Sequence, residues 1–431
     1  MEGNAKRAES LVDIFNIFKP EALKKEQLNF YQETATARDN SLTEFYERIY
    51  YATTKAESFE RSLVVGHMGC GKSTELQMLR RELSKVDIPE VYINAIEDLD
   101  LFNFTYIEIL ILMVEKLALY ANENDLTINK KIQDSFEKTL LNRITKAYVE
   151  TDTLTDIETS AEAKVPLIFL NFLAKITTQQ KLTSGVKEEL FKEFEAKASD
   201  IISALNALID DLSNKTNSKF VIIIDGLEKC REEGVVKLFT QDVGFLSRIR
   251  SHMILSCPIA VYRSVGANAL SGYFNAHITI PMIKTHNKDQ TSFEPGIETI
   301  KSLIRKRADD SFFEDDVLNT IITKTGGNLR DATILLSRCA FEAFLRKRTT
   351  VDMESTIYTL KNFAFDTFIR IPSSSYPKAR EIYEGNHDPS QDAALADLLY
   401  SGAAFEYNGD RWIDLAPLVR EYIDKNPGIL G

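Results

Sequence analysis

The chain has 431 residues, 44% of them hydrophobic and 27% charged, which are the proportions of an ordinary folded protein and exclude disordered, collagenous and coiled-coil classes. Its length allows roughly three domains, and a formal net charge of −12 argues against broad, non-specific attraction to nucleic acid or anionic membrane. Cys70, Cys230, Cys257 and Cys339 lie far apart with no C-x-x-C pair, which points to a reducing compartment, and the five histidines form no H-E-x-x-H, so no zinc site is expected. The first residues carry no apolar signal core. The greasiest run, Ile109 to Val114, is flanked by acids and falls far short of the ~20 residues of a membrane span. The expectation is a cytoplasmic protein without membrane contact.

Residues 1–60 read as helical and polar-rich, with Leu11, Ile14, Phe15 and Phe18 on one face, and then as a less periodic stretch from Phe30-Tyr31 to Asp39. Leu63-Val64-Val65 reads as a strand. The next eight residues, Gly66-His67-Met68-Gly69-Cys70-Gly71-Lys72-Ser73, fit G-x-x-x-x-G-K-[ST] and lead into a helical stretch carrying Leu76, Leu79 and Leu83. This is the pattern of a phosphate-binding loop. Glycines let backbone N–H groups turn inward around phosphates, the Lys72 ammonium reaches the β- and γ-phosphates, and the Ser73 hydroxyl ligates Mg²⁺. A helix starting near Lys72 adds its partial positive charge. A glycine turn inside an αβ unit would explain the glycines but not Lys72-Ser73. Residues 66–74, Thr74 included, are therefore the candidate nucleotide contacts.

A second strand, Val91-Tyr92-Ile93-Asn94, precedes an apolar helix of about 104–121. The region of about 122–215 reads as a helical insertion: 122–185, with the apolar patch Pro166 to Leu170, forms no regular βα unit, and a long helix of about 186–212 follows. Val221-Ile222-Ile223-Ile224 reads as a strand buried on both faces, and it ends in Asp225-Gly226-Leu227-Glu228. Asp225 falls where open α/β sheets bind ligands and is expected in the Mg²⁺ shell. Glu228 is expected to orient or deprotonate water, the alternative being an acid solvated at a helix start. Two more strands, Met253 to Ser256 and His277 to Ile280, are closed by Pro258 and Pro281. Strands alternating with helices define a parallel sheet with a nucleotide at its carboxyl edge.

From about 296 the pattern turns wholly helical and marks a second domain. Within it Thr325-Gly326-Gly327-Asn328-Leu329-Arg330-Asp331 breaks one helix and starts another, the glycines as a C-cap signal and Asn328 as an N-cap. Arg330 opposes the helix dipole in that first turn unless an anion, the γ-phosphate, faces it. Residues 372–431 read as a helix, Ala393 to Leu399, then a hairpin turning at Asn408-Gly409 with Phe405, Tyr407, Trp412 and Ile413 as strand residues, then Pro417 to Ile423. From Pro372 to Gly431 five Lys/Arg stand against ten Asp/Glu, a balance of −5. Contact with a protein partner, or packing back on the core, is expected ahead of duplex DNA.

The phosphate loop, the apolar strand ending in Asp-Gly-Leu-Glu, Ser256 at the end of the next strand and the Gly-Gly-Asn-Leu-Arg turn together resemble the AAA+ superclass. The resemblance spans residues 30–348 and lies nearest the origin-recognition-like and STAND signal-transduction branches. It implies an α/β fold: an N-terminal helical segment with an adenine-side loop (1–60), a P-loop NTPase parallel sheet with the helical insertion (61–290), an α-helical lid (291–371) and a small winged-helix-like α+β domain (372–431). It implies ATP and Mg²⁺, with Lys72 and Ser73 on phosphates and magnesium, Asp225 on magnesium, Ser256 as first sensor and Arg330 as second. Tyr31 to Asp39, with Tyr31 and Arg38, would line the adenine. Two features depart from the usual AAA+ pattern. Gly226 stands where the catalytic glutamate ordinarily follows the aspartate, an arrangement closer to STAND proteins, which use nucleotide state as a switch and often hydrolyse slowly. A trans-acting arginine has three candidates, Arg248, Arg250 and Arg263. The implied function is a Mg²⁺-dependent ATPase, a switch or homo-oligomeric motor acting on a protein partner, of a kind found in prokaryotic antiphage defence systems. The alternatives are an origin-recognition-like DNA-binding ATPase and a scaffold that holds nucleotide without turnover.

Overall fold

The computed structural model describes residues 5–38, 41–136, 192, 194–265, 267–389, 392–407 and 412–430. Asp39, most of the expected insertion with its patch Pro166 to Leu170, and the turn at Asn408-Gly409 lie outside the described residues. Every strand anticipated from an apolar run in the core is present. β1 (Arg61–Gly66), β2 (Glu90–Asn94), β3 (Val221–Asp225), β4 (His252–Pro258) and β5 (Ala276–Ile280) form one parallel sheet in the order β2-β3-β4-β1-β5. Val221 to Ile224 are wholly buried, as a strand covered on both faces requires. In β2, at the sheet edge, Val91 and Ile93 are buried while Tyr92 and Asn94 are partly open.

The helix α1 (Leu11–Ile17) stands apart from the sheet. The sheet is flanked by α2 (Ser41–Thr54), α3 (Lys72–Ser84), α4 (Tyr106–Glu123) and α5 (Ala198–Thr216). Thr105 and Glu108 start α4 with a reciprocal capping box, and Ile107 to Val114 are all buried in it. A helix apolar all round belongs in a core, and no helix among the described residues is long and apolar enough to cross a membrane.

A second, helical body, in the place expected for a lid and referred to by that word, is α6 (Glu294–Arg305), α7 (Val317–Thr325), α8 (Leu329–Leu345) and α9 (Met353–Phe368), with its own apolar core around Ile300, Ile321, Leu335 and Cys339. Helix α1 joins that core. Its Leu11, Ile14 and Phe18 form one apolar stripe at helical spacing and are buried there, the Phe15 ring lies 5.4 Å from Phe341, and Ser337 Oγ donates to the Phe15 carbonyl at 3.0 Å. In contrast, Phe45 and Ile49 of α2 are buried in the sheet core. The described residues among the first 60 are thus divided between the two bodies, α1 with the helical one and α2 with the sheet.

The last part of the chain is α10 (Tyr376–Tyr383), α11 (Ala393–Ser401), the antiparallel pair β6 (Ala404–Glu406) and β7 (Ile413–Leu415), and α12 (Pro417–Lys425). It packs back on both bodies. Leu398, Phe405 and Ile413 share the apolar core of the sheet, Tyr407 donates to the Gly326 carbonyl at 3.0 Å, and Lys324 of the lid pairs with Glu421 at 2.5 Å.

Candidate nucleotide site

Parallel strands bring their carboxyl ends to one edge, and four chemistry-bearing segments meet there. The loop follows β1, Asp225 ends β3, Ser256 lies in β4 between them, and the start of α8 covers the loop from the lid. Register fixes this neighbourhood: Val64 pairs with Ser256, and Asn94 with Asp225.

The loop leads directly into α3, with Gly71 as N-cap in the left-handed region. Gly69, at φ 88°, carries two constraints. An added Cβ would lie 2.1 Å from Asn328 Oδ1 and 2.7 Å from the Arg330 Cβ, so no side chain fits between loop and lid. The contact is built from backbone and cap groups: Leu329 N–H donates to the Gly69 carbonyl at 3.1 Å, and Asn328 Nδ2 to the Met68 carbonyl at 3.3 Å. Asn328 also caps α8, its Oδ1 accepting from the N–H groups of Arg330 and Asp331. Gly327 seats this turn on the segment that follows β5, since its Cβ would fall 1.7 Å from the Ile283 carbonyl oxygen.

Lys72 is buried and turned back on its own loop. Its Nζ donates to the carbonyls of Gly66 at 3.0 Å and His67 at 2.9 Å, and lies 3.6 Å from Glu228 Oε1. Burial alone would depress the ammonium, but Glu228 outweighs it and the Lys72 pKa is raised. Glu228 answers in kind: burial favours its neutral form, Lys72 overrides this, and its pKa is lowered. Its second oxygen, Oε2, is buried without a hydrogen-bond partner. Asp225 goes the other way, raised by burial and by the charge of Glu228, although Tyr92 and Ser73 both hydrogen-bond its carboxylate. Two carboxylates a few residues apart are thereby pushed to opposite sides of their ordinary value, an arrangement that separates their roles.

Tyr31, Met68, Gly69, Lys72 to Glu75, Glu228, Leu329 and Arg330 line one cleft between loop and lid. The Arg330 guanidinium lies against the Met68 sulfur at its mouth, with Nε buried and unpaired. Three sequence candidates sit elsewhere. Arg38 is 1% exposed behind the loop, donating to the Cys70 carbonyl, and so braces the loop rather than opening on the cleft. Ser256 is fully buried and accepts from Leu227 N–H at 3.2 Å, supporting the turn between Asp225 and Glu228. The His67 ring faces away and accepts from Glu406 N–H at 2.7 Å; burial, with Lys72 and Arg263 nearby, pushes its pKa down to about 3, so it stays neutral.

Of the three arginines considered for action in trans, Arg248 and Arg250 precede β4 and so lie at the amino ends of the strands, across the sheet from the loop. Arg263 follows β4 but is held within its own chain by Glu406 at 2.6 Å. Sequence reasoning missed Tyr92, Tyr46 and Glu75. Tyr92 Oη donates to Asp225 Oδ2 at 2.7 Å. The hydroxyls of Tyr31 and Tyr46 donate to the buried Glu75 at 3.1 and 2.8 Å. An acid in the first turn of a helix is commonplace, and only its burial sets Glu75 apart.

The donor set suits a hard cation. Ser73 and Asp225 would offer two oxygens, and among the described residues no cluster of three or more His, Cys, Asp or Glu could hold a metal, so phosphate oxygens and water would complete the shell, as Mg²⁺ prefers.

Residues 43–251 match the KAP family P-loop domain. No curated protein sequence matches the chain. Among solved structures it is similar to Cdc6p of Pyrobaculum aerophilum (13% identity, TM-score 0.41, 95% of this chain and 97% of that one). It is also similar to the Aeropyrum pernix ORC1 protein, solved in complex with DNA (12%, 0.41, 97% and 97%), and to the Thermotoga maritima RuvB Holliday junction branch migration motor (11%, 0.35, 94% and 98%). With a five-stranded parallel sheet, a glycine loop between β1 and α3 and an acidic strand β3 separated from β1 by β4, the chain has the fold of a P-loop NTPase, and its residues 43–251 match the P-loop domain of the KAP family.

Proposed function

We propose that the chain is a Mg²⁺-dependent ATPase of AAA+/STAND character, in which nucleotide state sets the contact between sheet and lid. The observation that carries this reading is the direct seating of α8 on the loop: Asn328 and Leu329 bond to Met68 and Gly69, and Arg330 stands over the same cleft as Lys72. A triphosphate entering the cleft must take the Lys72 ammonium from the carbonyls of Gly66 and His67 and from Glu228. Losing that partner raises the proton affinity of Glu228, which suits it to accept a proton from water. Mg²⁺, held by Ser73 and Asp225, would neutralise charge on the phosphates during transfer. Arg330 then faces the γ-phosphate, and its loss on hydrolysis releases the lid.

Residues 61–290 act as the catalytic body, 291–371 with α1 as the lid, and 372–431 as a winged-helix-like module that reports on both. Control of a protein partner, as in antiphage defence ATPases, is the role that fits an acidic module locked against the core, and assembly of several copies is compatible with it. The hydrogen exchange of residues 294–345 tests the switch. Wild type is expected to gain protection there with ATP over ADP, and Arg330→Ala to bind nucleotide without that gain. Equal protection in both proteins would reduce Arg330 to a lid surface residue.

Duplex DNA is disfavoured by charge. Of the five basic residues from Pro372 onward, Arg420 is paired with Asp414 and Lys378 with Glu381 and Asp392. No sequence-independent duplex binding is expected at physiological salt; binding that weakens steeply between about 50 and 200 mM salt, roughly 10³-fold or more, would restore the DNA reading.

A further inference from the structure

We propose that Tyr92 is a positioning residue of the magnesium site, holding Asp225 in register with Ser73; this rests on the nucleotide reading above. Tyr92 lies on β2, paired with Ile223 of β3. Side chains two apart on a strand share a face, so Tyr92 points to the same side as Asp225 and reaches it along the sheet. Its hydroxyl donates to Asp225 Oδ2 at 2.7 Å, while Gly226 N–H donates to Oδ1 at 2.7 Å. Both carboxylate oxygens are thus oriented from outside the cleft, and the Ser73 hydroxyl meets the same carboxylate from within it.

The other side of Tyr92 is tied to the helix that carries Lys72 and Ser73. The Arg80 guanidinium lies 4.4 Å over the Tyr92 ring, Gln77 hydrogen-bonds the hydroxyl, and Arg80 donates to Gln77 at 3.0 Å. Arg80 is in turn fixed to β2 by two bonds to Glu90 Oε1, at 2.9 and 2.7 Å. Tyr92 therefore bridges the two elements, α3 and β3, that supply the two protein ligands. Metal-binding carboxylates depend on such outer partners for their orientation, and losing one typically lowers metal affinity about 10–100-fold. Burial and the charge of Asp225 hold the phenol well above its ordinary pKa, so it remains a donor.

The test is Tyr92→Phe in the full chain, which removes one oxygen and keeps the stacking with Arg80. Binding of a non-hydrolysable fluorescent ATP analogue is titrated with Mg²⁺, and again in EDTA, with a thermal melt as control. The half-saturating Mg²⁺ concentration is expected to rise about 10–100-fold, while affinity in EDTA stays within about twofold of wild type. In an Asp225→Asn background Tyr92→Phe is expected to add nothing, because its effect passes through that carboxylate. Matching Mg²⁺ curves for wild type and Tyr92→Phe, with wild type itself Mg²⁺-dependent, overturn the proposal alone. A wild type whose nucleotide binding ignores Mg²⁺ overturns the magnesium site and the proposal together.

Discussion

Lys72→Ala is expected to raise the Kd for ATP at least ~100-fold, about 2.7 kcal/mol. The ammonium is the one side-chain cation seated inside the loop among the residues lining this part of the cleft, and its present partners, two carbonyls and Glu228, are groups that a phosphate can replace. The single variant also has a structural effect. It leaves the Glu228 carboxylate buried and uncompensated, and breaking a buried pair from one side costs about 3–5 kcal/mol. A double variant, Lys72→Ala with Glu228→Gln, removes both charges; its melting temperature is expected to recover while ATP binding stays lost. Calorimetric titration beside a thermal melt separates the two effects, and a double variant that binds ATP like wild type would take Lys72 off the phosphates. The same pair has a pH signature. Glu228 titrates below its ordinary value of about 4.3 when folded, so its contribution is present above that pH and is lost as pH falls through the folded value. Wild type is therefore expected to lose stability below about pH 4 more steeply than Glu228→Gln.

Glu228→Gln is expected to bind ATP normally and to lose about 10²–10⁴ in kcat, the usual contribution of a positioned general base. Gln keeps the shape and can still accept from Lys72, so the loop is preserved, but it cannot take a proton. The separation from Asp225 supports this division of labour: one carboxylate is tied to Tyr92, Ser73 and Gly226, and the other has a buried oxygen free of protein partners. Steady-state phosphate release at saturating Mg²⁺ and ATP, with binding measured in parallel, decides it. Turnover at the wild-type rate would pass the role of base to another group, and the scaffold reading would gain if wild type itself released no phosphate.

Much of this protein was legible in its residues. The runs Leu63-Val64-Val65 and Val221 to Ile224 announce buried parallel strands because both faces of such strands are covered, so no alternation is needed and apolar side chains fill the segment. The loop is legible because phosphate binding demands glycine, lysine and serine at set spacing, and the turn at Gly326 to Arg330 because caps are local chemistry. What the residues could not express were contacts between segments far apart in the chain. Helix α1 shows an apolar stripe but not its partner, since the lid core and the sheet core are equally apolar. Tyr92 reads as one more aromatic on a strand, and becomes a partner of Asp225 only through the β2–β3 register and the closeness of α3. Arg38 was expected near the nucleotide from the resemblance and His67 from the loop pattern, yet folding turns one side chain behind the loop and the other toward Glu406. Local sequence therefore determined which elements form and which chemistry they carry, while the direction of each side chain, and the joining of loop and lid into one cleft, came from packing that only the tertiary structure decides, because the free energy of burial has no memory of sequence distance.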